Sequence, residues 1–413
     1  MPYNLDVPAS CPFHVRRLNK SIYLFREHDN YGQFPNIYAK ICSAPDINDS
    51  ESSVIVLSDT GCATSVENPE YGSSEDPETP MYWNIYTVLK HTINPGGRLP
   101  YLVITTHCHF DHILGLGLLP PTDSAPHHLN VTQRKGPLTT VLSSAHSIEH
   151  ISPWKHVCNH SLSKEFHTEC PYYTIGMWAQ DRQDIVYSPS TSTRVPTGIT
   201  ILHTPGHSPD SLSWYDTDSH LLCVGDSFYE TKSQDTQKWE VESKIRAAIL
   251  FEERSHLLAW WKSLDKLLEF TKEKNTLLAN QHTGSGPPPR VAISASHVTT
   301  MSPDAEPFLL SIRAFMYRIL RDEVPKTPLA RGELPFKDVM VYDDGPEAAA
   351  SKDFDWIVCA PKRIIEEGVQ QIGGRTLISE SPLYSIKMKL SNSTVQGLEE
   401  GSNERVNPLR PRQ

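Results

Sequence analysis

Short apolar runs separated by polar, turn-forming residues fill the first half of the chain. Ser21 to Phe25, Ile37 to Cys42 and Val54 to Leu57 are rich in β-branched and aromatic residues and predict strands. The last of these runs into Asp59-Thr60-Gly61, a turn sequence. Residues 81–91 (MYWNIYTVLKH) predict a helix, stopped by Asn94-Pro95-Gly96-Gly97. Tyr101 to Thr105 predicts another strand, which leads directly into His107. Residues 113–196 mix short strands, loops and proline breaks and hold seven of the 19 histidines.

The strand pattern then resumes. Thr200 to His203 leads into Pro205-Gly206-His207, Leu221 to Val224 into Gly225-Asp226, and Thr276 to Leu278 is expected as the strand that precedes His282. Leu257, Trp261, Leu264 and Leu268 recur at spacings of four, three and four, so a helix with one apolar face lies between the last two. A Gly/Pro-rich link spans Gly284 to Pro289. A further helix is expected from Ser302-Pro303-Asp304, with Ser302 as N-cap and Pro303 at the first helical position. Phe308, Ile312, Phe315, Met316 and Ile319 give it a packed face. These patterns divide the chain into a domain over 1–290, with 113–196 as an insertion or lid, an extension over 291–388 that packs on the core, and a polar, disordered tail over 389–413.

Composition narrows the function classes. No apolar run approaches the eighteen or so residues of a membrane helix. The N-terminus lacks the basic start and apolar core of a secretory signal, so a soluble, cytoplasmic protein without membrane partners is expected. Lys and Arg total 38 against 49 Asp and Glu, for a net charge of -11, which argues against a nucleic-acid partner. The expected partner is a small-molecule substrate. Eight cysteines without paired spacing read as buried thiols.

The chemistry concentrates at Thr106-His107-Cys108-His109-Phe110-Asp111-His112, where three His and one Asp fall within six residues. Imidazole and carboxylate both suit zinc and related ions. A turn after a strand can aim His107 and His109 at one ion while Asp111 and His112 face a second. Cys108 alternates away from its two His neighbours and is expected to pack. His207, Asp226 and His282, each expected at a strand end, complete a seven-donor set. His156, Cys158, His160, His167 and Cys170 match no ordinary structural zinc spacing.

This pattern resembles the metallo-β-lactamase superfamily, whose motifs are a strand-end Asp, HxHxDH, a His, a bridging Asp and a last His. Here they correspond to Asp59, His107 to His112, His207, Asp226 and His282. The resemblance covers roughly residues 15–290. It implies an α/β fold of the αββα sandwich type, carrying an insertion and a C-terminal helical extension. One metal would take His107, His109 and His207, the other Asp111, His112 and His282, with Asp226 between them. Asp59 would orient the HxHxDH turn through hydrogen bonds, and Ser211 reads either as a surface hydroxyl or as support for the second half of the site.

The implied cofactor is a pair of Zn²⁺ ions, with Fe or Mn also accepted by these ligands. The implied activity is hydrolysis by a metal-activated hydroxide, with Asp111 as the catalytic carboxylate. Within the superfamily the layout resembles fungal enzymes that open cyclic amides, carbamates or esters in xenobiotic degradation. A thioesterase of the glyoxalase II or polyketide-release type is the alternative, and a non-catalytic scaffold would be expected to lose ligands. Trp154, Tyr172, Tyr173 and Trp178 read equally as an aromatic wall that would favour ring-bearing substrates or as ordinary core.

Overall fold

The computed structural model describes residues 5–44, 53–73, 79–122, 138–189, 193–232, 247–330, 334–345 and 353–373. The first sheet has seven strands: β1 (Phe13–Arg17), β2 (Ile22–Glu27), β3 (Asn36–Ser43), β4 (Ser53–Ser58), β7 (Tyr101–Ile104), β8 (Thr139–Ser144) and β9 (Ile175–Ala179), in that order. A two-residue ribbon, β5 (Val66–Glu67) with β6 (Tyr82–Trp83), lies outside it. Pairing is antiparallel from β1 to β4 and parallel from β4 through β7 and β8 to β9. The second sheet runs β10 (Gln183–Tyr187), β11 (Val195–His203), β12 (Leu212–Asp216), β13 (Leu221–Cys223) and β15 (Ala292–Ser294), with only the β13–β15 pair parallel.

The two sheets face each other through one buried cluster, in which Leu24, Tyr38, Val56, Leu102, Ile104 and Leu142 meet Ile199, Ile201, Trp214, Leu221 and Cys223. Polar ties cross the same gap. Trp214 Nε1 donates to Ser58 Oγ at 2.8 Å, and the buried Lys40 ammonium pairs with Asp216 at 2.5 Å. Helix α1 (Ile85–Thr92), closed by an Asn84 capping box, covers the outer face of the first sheet with Ile85, Val88 and Leu89. Helices α5 (Leu257–Gln281) and α6 (Ala305–Leu320) cover the second. The layers are therefore α, β, β, α. The strands expected around residues 21–25, 37–42, 54–57, 101–105, 200–203 and 221–224 all form, with ends shifted by a few residues.

Several expectations change. Residues 113–196 are not mainly a lid, because they supply β8 and β9 to the first sheet and β10 to the second. What projects from the sandwich between β8 and β9 is a short segment with helices α3 (Ile148–Ile151) and α4 (Trp154–His160). Thr276 to Leu278 is the last stretch of the 25-residue α5 rather than a strand, with Leu278 on the same buried face as Leu264, Leu268 and Thr271. The domain boundary placed at 290 falls just before β15, which pairs with β13 inside the second sheet. Helix α6 is capped by Asp304, whose carboxylate accepts the Glu306 N–H, so Ser302 and Pro303 lie outside it.

The C-terminal extension is also not purely helical. It contributes β16 (Lys326–Pro328), β17 (Val339–Asp343) and β18 (Ile357–Pro361), which join β14 (Ile249–Leu250) in a third sheet, and ends in α7 (Lys362–Gly368). The tail over 389–413 lies outside the described residues.

Candidate metal centre

β4 and β7 run parallel, so their C-terminal ends open on the same edge of the first sheet. Beyond β4, Asp59 takes a left-handed conformation (φ 62°) and turns its carboxylate toward the loop that leaves β7. That carboxylate accepts the Thr106 N–H at 2.7 Å, the Thr106 hydroxyl at 2.8 Å, the His112 Nδ1–H at 3.0 Å and the Ser296 hydroxyl at 3.0 Å. One buried group thus fixes both ends of the HxHxDH turn and the segment after β15. Helix α2 (Phe110–Ile113) presents Asp111 and His112. Its continuation packs so closely on the Asp59 turn that a Cβ on Gly115 would lie 2.1 Å from the Thr60 carbonyl oxygen.

The second sheet supplies the other donors from its facing edge. After β11, Gly206 (φ 145°) runs against Trp260 of α5, where a Cβ would sit 2.3 Å from the Trp260 Cα. This close approach sets His207, whose Nδ1 donates to the Leu250 carbonyl at 2.8 Å. β13 and β15 are parallel, so Asp226 and His297 emerge side by side beyond their ends. His297 Nδ1 donates to the Gln33 carbonyl at 2.9 Å, leaving Nε2 turned inward.

Two donor groups result. His107, His109 and His207 form one; Asp111, His112, Asp226 and His297 form the other, all buried. His109 Nδ1 lies 2.9 Å from His107 Nε2 and 3.1 Å from His207 Nε2. Asp226 Oδ2 sits between the groups, 3.3 Å from His112 Nε2, 3.2 Å from His297 Nε2 and 3.9 Å from both His107 Nε2 and His207 Nε2. Asp111 Oδ2 faces His112 Nε2 at 3.4 Å and His297 Nε2 at 3.3 Å.

Of the residues the sequence nominates, the structure brings together His107, His109, Asp111, His112, His207 and Asp226, and leaves out His282. His282 caps the C-terminus of α5, partly exposed, with Nε2 against the Gly286 carbonyl of its own loop at 3.0 Å. Its expected place is taken by His297. The strand that delivers His297 is only three residues long, whereas Thr276 to Leu278 copies the apolar content of a strand inside a helix. The signal was present nonetheless: Val291, Ala292 and Ile293 make a short, wholly buried apolar run just before Ser296-His297.

The residues fit a metal on three grounds. First, the hydrogen bonds assign bare ring nitrogens to the centre. The Thr106 hydroxyl donates to Asp59 and therefore accepts from His107 Nδ1 at 3.1 Å, so His107 Nε2 carries a lone pair. His207 and His297 are fixed the same way by carbonyls, and His112 by Asp59. Second, His112 Nε2 and Asp226 Oδ1 are buried with no hydrogen-bond partner among the described residues. Third, Asp111 and Asp226 are buried carboxylates whose ion-pair neighbours are all histidines, a costly arrangement unless a cation joins them.

Electrostatics agree with the geometry. Burial first, and then the neighbouring rings, hold His107 and His109 well below the ordinary imidazole value. Burial also lowers His207. These three are thus in the neutral, ligating form. Burial opposes the charged form of His112 too, but Asp226, Asp111 and Asp59 overcome it and raise its pKa well above normal. A divalent ion held by Asp111, His112, Asp226 and His297 would take the place of that proton.

An aromatic cluster borders the centre. Phe110, between His109 and Asp111 in the chain, stacks on Phe166 (centroids 4.3 Å apart, 24°) and meets the edge of Tyr31 at 5.4 Å. Phe336 of the extension packs on the same cluster, together with Cys62, Leu114 and Leu162. The aromatics read from the sequence as wall or core do not join this cluster. Trp154 and Tyr172 are exposed and pair with each other, while Tyr173 and Trp178 pack on the first sheet. Ser211 supports the His207 turn, with its hydroxyl 2.7 Å from that of Ser208.

Known proteins resemble this chain in sequence and in fold. A curated Aspergillus versicolor protein described as "Putative transcription factor avaE" is 29% identical over 223 residues, 53% of this chain. The chain spans about half the length of that relative (56%). Among solved structures, an archaeal metallo-beta-lactamase superfamily protein from Sulfolobus tokodaii shows 13% identity and a TM-score of 0.40, covering 72% of this chain and 87% of that one. A metallo-beta-lactamase family protein from Thermus thermophilus shows 15% identity and a TM-score of 0.42, covering 74% and 82%. Residues 99–282 match the family model described as the metallo-beta-lactamase superfamily, a span that ends at His282, before β15 and His297. Over that span the chain is similar to the metallo-beta-lactamase superfamily, and every donor of the two groups except His297 lies within it.

Proposed function

We propose that this protein is a hydrolase that uses two divalent ions, Zn²⁺ in the first instance, to open cyclic amides, carbamates or esters bearing an aromatic or other apolar group. The observation that carries the reading is the pair of buried donor groups with Asp226 Oδ2 between them. Ions bound there supply Lewis-acid polarisation of a carbonyl and a hydroxide nucleophile at neutral pH.

The chain's own residues do the rest. The second bonds of His107, His112, His207 and His297, to Thr106, Asp59, Leu250 and Gln33, hold each ring in one tautomer and orientation. Asp226 sets the spacing of the two halves. Asp111 offers a carboxylate oxygen to hold the proton released by the attacking water and return it to the leaving atom. No protein nucleophile is required: Cys62, a thiol beside the site, is buried and pushed well above its ordinary pKa by that burial and by Glu27. Tyr31, Phe166 and Phe336, the less buried rings around Phe110, offer faces and edges to an apolar substrate, which favours ring-bearing lactams and lactones over charged thioester carriers. The name of the Aspergillus versicolor relative would imply DNA binding, and the net charge of -11 opposes that reading here.

The test is hydrolysis by the zinc-loaded protein, followed by mass spectrometry, of two sets: aromatic γ-lactams, cyclic carbamates and lactones, and acyl thioesters. Addition of one water to members of the first set, lost in Asp226→Ala, is the expected result. Cleavage of thioesters alone would replace this reading with a thioesterase of the release type.

A further inference from the structure

Behind the seven-donor centre lies a second convergence of ligand atoms. The thiol of Cys108, Nε2 of His150 and a carboxylate oxygen of Asp210 all fall within 4.8 Å of one another. They come from three separate segments: the HxHxDH turn, α3, and the loop after His207. Cys108 points here because it alternates away from His107 and His109.

Asp210 is fully buried, and its Oδ2 has no hydrogen-bond partner among the described residues. Its other oxygen accepts the Ser208 hydroxyl at 2.8 Å. The Cys108 thiol and N–H lie against the same carboxylate. His150 Nε2 stands 3.7 Å from Asp210 Oδ1, too far for a hydrogen bond. That distance is close to the roughly 3.3 Å between two ligands about 2.0 Å from a tetrahedral ion. The His150 ring is held in place. It stacks on His160 (4.0 Å, 11°), and His160 Nδ1 donates to the His150 carbonyl at 2.6 Å. A buried carboxylate with an orphaned oxygen, a thiol and an oriented imidazole is a ligand set for a borderline divalent ion.

We propose that Cys108, His150 and Asp210 form a separate cation site for Zn²⁺ or a similar ion, and that this ion ties the turn carrying His107 and His109 to the loop carrying His207. Coordination replaces the thiol proton, which leaves to solvent. The site stands on its own donors, whatever substrate the main centre acts on.

The test uses the full chain, stripped with chelator and reloaded with Co²⁺, with cobalt per chain measured by elemental analysis alongside the near-ultraviolet spectrum. The expected result is three ions per chain and a thiolate-to-cobalt charge-transfer band. Cys108→Ser removes the band, and His150→Ala lowers the count by one. His150 lies at the edge of the cluster, so its variant still reports if Cys108→Ser fails to fold. His109→Ala lowers the count and keeps the band, which separates this site from the main centre. Two ions per chain with no thiolate band in the unmodified protein, or a count and band unmoved by both variants, overturns the proposal and leaves Cys108 as a hydrogen-bonded core thiol.

Discussion

Replacing Asp59 by Asn removes one charge and leaves the shape nearly unchanged, so it isolates what the carboxylate does. In the native arrangement Oδ1 accepts the Thr106 N–H, and Oδ2 accepts the hydroxyls of Thr106 and Ser296 and the Nδ1–H of His112. An amide cannot satisfy this set. With its NH₂ at the Oδ2 position it confronts three donors; at the Oδ1 position it confronts a buried backbone N–H. The second choice is the milder one. It still strands a buried donor at about 1–3 kcal/mol and turns three charge-assisted bonds into neutral ones. Because His112 and the turn carrying His107 are oriented through these bonds, metal affinity is expected to fall about 10–100-fold, or about 1.4–2.7 kcal/mol. The assay is competition with a chromophoric chelator, supported by melting curves with and without Zn²⁺. Ser296→Ala, which removes only one of the four bonds, should cost less. Asp59→Asn with native affinity for both ions would refute the orienting role.

Three further outcomes are expected. His297→Ala should lose an ion and reduce turnover by at least about 100-fold, while His282→Ala should keep both ions and near-native turnover, as read by elemental analysis and initial rates. Glu252 is buried, with Oε2 3.7 Å from the Arg254 guanidinium, and burial raises its pKa to about 7. A raised pKa means the folded state holds the proton more tightly, so this stability is present below about 4.5 and is lost as pH rises through about 7. The Tm of Glu252→Gln minus that of the unmodified protein should therefore grow over that interval, and a pH-independent difference would refute the assignment. Phe336→Ala should weaken KM for aromatic substrates more than for small aliphatic lactones, because it thins the cluster around Phe110.

Much of the centre was legible because each donor follows a strand that stops. β7, β11 and β13 are apolar runs that end within a few residues of His107, His207 and Asp226, and the pattern of the chain marks them directly. His297 was hidden by a competing run at the end of α5, where Leu277 and Leu278 look like strand but Leu278 continues a helical face. Periodicity cannot separate such short segments, and only sheet pairing with β13 decides. β8 was missed because its sequence, TTVLSS, is polar in composition although the strand is almost wholly buried. The aromatic wall was misplaced for a different reason. Phe110, Phe166, Tyr31 and Phe336 are far apart in sequence, and nothing local shows that they meet.

The most direct measurement is a crystal structure of the zinc-loaded protein with anomalous scattering recorded at the zinc edge. The account predicts one peak among His107, His109 and His207, a second among Asp111, His112 and His297, and Asp226 between the two. An absence of density at either group, or a peak ligated by His282, would contradict it.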